Sequence, residues 1–125
     1  MIYGIGTDIC DIRRMEKACK RFGVRFATRI LSLKEERHMP KLGRAAWLAK
    51  RFAGKEAMAK AMGTGFSEGL SLKDISVINN KKGAPEVVLS EKAQSRMPPG
   101  SRIFISLSDE KGYALAFVVI EQNSD

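Results

Sequence analysis

The sequence predicts an α+β fold in which a long helix packs on an antiparallel β-sheet. An alanine-rich segment at 44–62 would form a helix about 28 Å long, at roughly 1.5 Å per residue. The second half of the chain instead consists of short apolar segments separated by turn residues, which is typical of antiparallel strands. With 125 residues, the chain is expected to form a single domain over 1–125.

The first half is predicted to begin with a strand and to continue as helices. Residues 2–7 form a short strand that contains two glycines and ends at Asp8. Asp11 has the position of an N-cap for the next helix. That helix has an apolar stripe and is ended by a glycine. Two segments precede the long helix: a helical stretch over about 24–31, and a short helix begun by the Ser-x-x-Glu capping box at 32–35.

The second half is predicted to form two hairpins with a short helix between them. In chain order these are strand 72–78, turn 79–83, strand 85–89, a short helix capped by Ser90, and a hairpin of strands 102–109 and 113–121.

The closing strand is apolar on both faces, so it is expected to lie at the centre of a sheet or to be buried on both sides. One face carries Ala114, Ala116 and Val118, and the other carries Tyr113, Leu115, Phe117 and Val119. Because a small chain has little helix surface to cover both faces, one face is expected to pack against other copies of the chain. A charge at Val118 is expected to break that interface.

Composition favours a globular protein with an acidic partner. The net charge is +8, and residues 11–60 hold 15 Lys/Arg and 5 Asp/Glu. Such a basic half suits nucleic acid, a phosphorylated small molecule or an acidic protein. No apolar run approaches the roughly 20 residues of a membrane span, and "MIYGIGTDI" lacks the regions of a signal peptide, so a cytoplasmic location is expected. Cys10 and Cys19 lack metal-site spacing and are expected to be reduced.

The long helix carries the first candidate site residues. Glu56 and Lys60 are one turn apart and share their face with alanines. Arg44, Arg51 and Lys55 fall on a separate stripe that is predicted to be a basic surface. An i, i+4 Glu–Lys pair is a common solvated ion pair. The small neighbouring residues would equally let a ligand approach, so both interpretations stay open.

Further candidates lie at either end of the chain's first half. Asp8 would face a cleft or cap a helix, and with Glu56 it would supply two hard oxygen ligands for Mg²⁺. The turn Gly63-Thr64-Gly65 would end the long helix or present backbone N–H groups to a phosphate. The single His38 lies in a polar region, so imidazole catalysis is not expected.

The first helix carries a basic face. Arg14, Lys17 and Arg21 are spaced i, i+3, i+7, and Arg25 and Arg29 follow. A solvated face and a docking surface for an acidic helix both explain this pattern.

Three segments together carry a family resemblance: "GIGTDI" at 4–9, "RFAGKEAMAKAMGTG" at 51–65 and "SLSDEKGYALAFVVIE" at 106–121. In this order and spacing the chain resembles the bacterial holo-acyl-carrier-protein synthases, the small 4′-phosphopantetheinyl transferases. The resemblance covers essentially the whole chain. Its most specific part is the pairing of G-x-D with F-x-x-K-E-A-x-x-K-A.

The resemblance implies an activity and an assembly. Such enzymes move 4′-phosphopantetheine from coenzyme A to a serine hydroxyl of apo acyl carrier protein, release adenosine 3′,5′-bisphosphate and support fatty acid biosynthesis. They assemble as homotrimers with active sites between subunits.

The resemblance also implies roles for individual residues. Asp8 and Glu56 match the Mg²⁺ ligands, and Lys60 matches the active-site lysine. Arg51 matches a position near the coenzyme A phosphates, and Asp109 matches one that is His in many family members. Together with Lys60 and the turn of Gly63, Thr64 and Gly65, these are the positions expected to bind coenzyme A. Arg14 and Arg25 match basic positions that meet the carrier protein, and Arg21 on the same helix is expected to join them.

The chemistry of phosphoryl transfer agrees with these roles. Attack on a pyrophosphate needs neutralised phosphoryl oxygens, an aligned nucleophile and a base. Mg²⁺ on Asp8 and Glu56 would provide the first, Glu56 would act as the base directly or through a water, and Lys60 would stabilise phosphate charge.

Two other functions stay open from the sequence. A small basic RNA-binding protein would explain the charge, but it leaves Asp8 and Glu56 without a role and no basic–aromatic interleaving supports it. A transferase of broader range, acting on peptidyl or polyketide carrier domains, would share the same site.

Overall fold

The computed structural model describes residues 1–123 and has an α+β architecture. Its elements in chain order are β1 (Ile2–Asp11), α1 (Ile12–Phe22), α2 (Val24–Ile30), α3 (Leu33–Glu36), α4 (Arg44–Met62), β2 (Ile75–Asn79), β3 (Pro85–Leu89), α5 (Glu91–Gln94), β4 (Arg102–Glu110) and β5 (Tyr113–Glu121). The strands form a three-stranded sheet of order β1-β5-β4 and a two-stranded sheet of β2 and β3, and all pairs are antiparallel. The predicted fold class is confirmed.

Helix α4 packs so closely on β1 that the two backbones touch. A Cβ added at Gly4 would lie 1.9 Å from the carbonyl oxygen of Ala61, and one added at Gly6 would lie 1.9 Å from that of Ala57. The two glycines therefore have a packing reason, since any side chain there would push the strand off the helix. Asp8 is the next residue on the same face of β1, so its side chain points towards α4.

The strand β5 is central in its sheet, as predicted. Ala114, Ala116 and Val118 are fully buried on the side that packs against α4, whereas Tyr113, Leu115 and Phe117 on the other side are 43–45% exposed. The expectation that Val118 lies at an interface between copies is therefore wrong. A charge there would enter the core of the chain itself.

Strands β1 and β2 differ most from their predicted bounds. β1 continues to Asp11 because it pairs with β5 along its whole length, with Asp8 opposite Ala116 and Asp11 opposite Tyr113. Asp8 thus lies inside the strand and not after its end. β2 begins only at Ile75, because Leu72–Asp74 form a 3₁₀ turn with a capping box between Ser71 and Asp74.

The predicted basic stripe of α4 is exposed at Arg44, but Arg51 and Lys55 are buried, which corrects the sequence-based interpretation of those two residues. Lys55 and Glu35 are both fully buried, and their side chains pair at 2.5 Å. The Lys55 ammonium also donates to the carbonyls of Leu72 at 2.8 Å and Ile75 at 2.6 Å. Burial lowers the pKa of Lys55, and the Glu35 carboxylate opposes that shift. Lys55 thus joins α4 to α3 and to the start of β2.

Two helix caps that the sequence predicted are present. Asp11 caps α1, with its side chain accepting from the Arg13 backbone N–H, and Ser32 and Glu35 form the predicted capping box. Cys10 and Cys19 are both free thiols. Within residues 1–123, no helix is both long and apolar enough to cross a membrane.

Candidate active site

Asp8 and Lys60 meet where β1 crosses the C-terminal part of α4. The Lys60 ammonium donates to Asp8 Oδ1 at 3.2 Å and to the Thr7 carbonyl at 3.0 Å. The Asp8 side chain is 18% exposed and the Lys60 side chain is 54% exposed. The contact therefore sits at the surface, where a ligand can reach both charges.

Glu56 faces the same place from one turn earlier on α4. Its pKa is raised, first by burial and then by the negative charge of Asp8, while the Lys60 ammonium opposes the shift. The structure thus brings Asp8, Glu56 and Lys60 together, with two carboxylates that repel each other. A bound cation would relieve that repulsion.

The donor set suits a hard divalent cation that keeps other ligands. Within residues 1–123, no group of three or more His, Cys, Asp and Glu side chains is placed to hold a metal. Two carboxylates are enough for Mg²⁺, which usually binds one or two carboxylates and takes water and substrate phosphates at its remaining positions. Asp8 and Glu56 therefore fit the predicted ion.

The turn Gly63-Thr64-Gly65 ends α4 close to this site. Gly63 has a left-handed backbone with φ 89°, and its N–H donates to the Lys60 carbonyl at 3.0 Å. The Gly65 N–H donates to the Ala59 carbonyl at 3.2 Å. These two N–H groups satisfy carbonyls at the helix end, as in a glycine C-cap, so the turn is fixed to the helix that carries Lys60.

Arg51 lies on another side of α4. Its guanidinium stacks 4.5 Å from the centroid of the Trp47 ring and donates to Asn79 Oδ1 at 3.1 Å, and burial lowers its pKa. Its Nε has no partner among the described residues. Arg51 is thus a buried cation. Within residues 1–123 it makes no ion pair or hydrogen bond with Asp8, Glu56 or Lys60.

Asp109 is also separate from the carboxylate pair within one chain. It lies on β4, across the central strand from β1, and its carboxylate pairs with Lys50 at 3.0 Å. A single chain therefore does not assemble all the predicted coenzyme A positions in one place.

The predicted basic face is exposed at Arg14, Arg21 and Arg25. Next to Arg14 opens a cleft of about 480 Å³ between β1, α1, α2 and α4. Its lining is mostly apolar, with Arg14 and Arg29 among its walls; the apolar residues include Ile9, Met15, Phe26, Ile30 and Phe52. Sequence reasoning missed this cleft, because the helical apolar stripes indicated only that these side chains pack inward.

Comparison with known proteins gives the family. Residues 4–118 match the model of the 4′-phosphopantetheinyl transferase superfamily. A holo-[acyl-carrier-protein] synthase from Methylobacterium sp. (strain 4-46) is 46% identical, over 100% of this chain and 98% of the relative.

Solved structures agree. The crystal structure of holo-[acyl-carrier-protein] synthase from Neisseria meningitidis superposes with a TM-score of 0.85 at 42% identity, covering 98% of this chain and 100% of that one. The Helicobacter pylori synthase, solved in complex with coenzyme A, superposes with a TM-score of 0.81 at 34% identity and covers 94% and 99%. On these grounds the chain belongs to the 4′-phosphopantetheinyl transferase superfamily and, within it, to the holo-[acyl-carrier-protein] synthases.

Proposed function

We propose that this protein transfers 4′-phosphopantetheine from coenzyme A to a serine hydroxyl of apo acyl carrier protein and releases adenosine 3′,5′-bisphosphate. The observation that carries the proposal is the meeting of Asp8, Glu56 and Lys60 at the surface. It occurs in a chain that is similar over its whole length to a holo-[acyl-carrier-protein] synthase.

Asp8 and Glu56 would hold Mg²⁺, which would supply positive charge to offset that of the coenzyme A phosphates. Glu56 is also the candidate base for the serine hydroxyl, directly or through a water. Lys60 would stabilise phosphate charge, and its half-exposed ammonium is accessible to a ligand.

Arg51, the turn Gly63-Thr64-Gly65 and Asp109 would contribute to coenzyme A binding. Because one chain leaves Asp109 apart from Asp8, we propose a homotrimer in which active sites lie between subunits. The exposed apolar face of the β1-β5-β4 sheet supports such an assembly. It displays Ile5, Ile9, Phe104, Tyr113, Leu115 and Phe117 to solvent, and apolar patches of this kind mark protein interfaces.

Arg14, Arg21 and Arg25 would bind the acidic carrier protein. The cleft beside Arg14 offers an apolar surface next to these cations, and an acidic amphipathic helix has the matching chemistry. We further propose that residues 1–125 form one domain, since α4 contributes to both apolar clusters of the core. A cytoplasmic location stays a prediction from the sequence.

The direct experiment is incubation of the protein with coenzyme A, Mg²⁺ and apo acyl carrier protein, followed by intact mass measurement. The carrier protein should gain the mass of one phosphopantetheine group, and the gain should disappear with EDTA or with a carrier in which the acceptor serine is alanine. No mass gain under these conditions, with a correctly folded protein, would refute the proposal.

A further inference from the structure

The connection between α4 and β2 has an unusual backbone. Gly63, Gly65, Glu68 and Gly69 have φ values of 89°, 62°, 55° and 84°, all in the left-handed region. Glycine adopts this region readily, but a side chain makes it unfavourable, so Glu68 needs support from its neighbours. Residues 67–69 are exposed, which means that core packing does not supply that support.

Two basic side chains from the α5 region hold this connection by its carbonyl groups. Arg96 donates from Nη1 to the Ser67 carbonyl at 3.0 Å and from Nη2 to the Glu68 carbonyl. Lys92 donates from Nζ to the Gly69 carbonyl at 3.2 Å. A planar guanidinium can bond two neighbouring carbonyls at once, so Arg96 fixes the peptide units on both sides of the Glu68 Cα.

The same contacts lead back to the turn at the end of α4. The Ser67 hydroxyl donates to the Thr64 carbonyl at 2.9 Å, and the Gly65 N–H is bonded to α4. A continuous chain of hydrogen bonds therefore runs from Arg96 through Ser67 to Thr64, next to Lys60 on the last turn of α4.

We infer that Arg96 is a positioning residue for coenzyme A. It holds residues 67–69, and through Ser67 it fixes the Gly63-Thr64-Gly65 turn in the conformation that meets the phosphates. The inference rests on the proposed function, because it assumes that this turn contacts coenzyme A. Arg96 itself makes no hydrogen bond or ion pair with Asp8, Glu56 or Lys60 among the described residues, so the KM for the carrier protein and the chemical step should not depend on it.

The test compares Arg96→Gln with wild type in steady-state transfer assays. The KM for coenzyme A should rise about fivefold, equal to roughly 1 kcal/mol at about 1.4 kcal/mol per tenfold, whereas the KM for the carrier protein and kcat should stay within about twofold. Hydrogen exchange without substrates should become faster at the amides of residues 63–70 only. Arg96→Lys should restore part of both effects, because an ammonium can still donate to one of the two carbonyls.

Arg37→Gln is the matched control, since Arg37 is an exposed arginine far along the chain from this connection. It should leave the KM for coenzyme A and the exchange of residues 63–70 unchanged. A wild-type protein without transfer activity would refute the proposed function, and this inference with it. An active wild type whose Arg96→Gln variant keeps the KM for coenzyme A, or raises both KM values equally, would refute the inference alone.

Discussion

Replacing Lys55 with methionine should be among the most destabilising single changes in this chain. The substitution keeps an unbranched side chain of similar length, but it removes the only cation that contacts the buried Glu35 carboxylate among the described residues. Glu35 would keep two donors, the backbone N–H groups of Ser32 at 2.9 Å and Val77 at 2.8 Å. The carbonyls of Leu72 and Ile75 would lose the ammonium that now bonds them.

The expected magnitude follows from leaving a buried charge uncompensated. Breaking one partner of a buried ion pair costs about 3–5 kcal/mol, out of a total stability of roughly 5–15 kcal/mol for a domain. The control is Lys50→Met on the same helix. Lys50 pairs with Asp109 at 3.0 Å, but these side chains are 31% and 41% exposed, so the loss should stay below about 1 kcal/mol.

The assay is urea unfolding, monitored by the fluorescence of the single tryptophan, Trp47. At pH 7, Lys55→Met should unfold at a clearly lower urea concentration than wild type, and Lys50→Met at nearly the wild-type concentration. Adding Glu35→Gln to Lys55→Met should recover stability at pH 7, since the charge is gone while an oxygen acceptor remains.

Two results would refute this reasoning. One is a Lys55→Met variant no less stable than Lys50→Met at pH 7. The other is a double variant whose loss equals the sum of the losses of the two single variants.

Three further outcomes test the site, the docking surface and the assembly. Asp8→Ala and Glu56→Ala should each lower kcat at least about 100-fold, with an unchanged circular dichroism spectrum and melting temperature. If either variant keeps near-normal turnover and the usual Mg²⁺ dependence, the substituted residue does not belong to the site. Arg14→Glu should raise the KM for the carrier protein about tenfold, a change of roughly 1.4 kcal/mol, and leave that for coenzyme A unchanged. Wild-type affinity for the carrier should also weaken as salt screens exposed charges, so salt-independent affinity would contradict the docking surface. Phe117→Asp on the exposed sheet face should reduce the mass seen by light scattering to that of one chain, 13.8 kDa, and should abolish transfer. The control Leu42→Asp, in the exposed loop before α4, should change neither the mass nor the activity. A fully active monomer would refute the shared site.

The elements with strong local signals were predictable from sequence. The bounds of α4 and β5 match the predicted 44–62 and 113–121, because a long helical period, a closing glycine and a tight turn each act over a few residues. The capping box of Ser32 with Glu35 is equally local. The assignment of Asp8, Glu56 and Lys60 came from the family resemblance, and spacing alone left it open.

The features that sequence reasoning missed depend on contacts distant along the chain. Lys55 falls on the basic stripe by helical counting, and only the meeting of α3, α4 and β2 buries its side chain. Asp8 lies inside β1 because β5, more than 100 residues later, pairs with it. No local pattern links Arg96 to the carbonyls of Ser67 and Glu68, since both contacts are made to the backbone.

The backbone contact of β1 with α4 at Gly4 and Gly6 sets the spacing of the Asp8 and Glu56 carboxylates. Main-chain atoms of the strand rest on main-chain atoms of the helix, so the separation of Asp8 from Glu56 depends on a rigid backbone stop and hardly at all on compressible side chains. Substitutions in the apolar core can then vary the melting temperature while the two acids keep their mutual placement. An alanine in place of either glycine would instead change that placement, because its methyl group would push β1, and with it Asp8, away from α4.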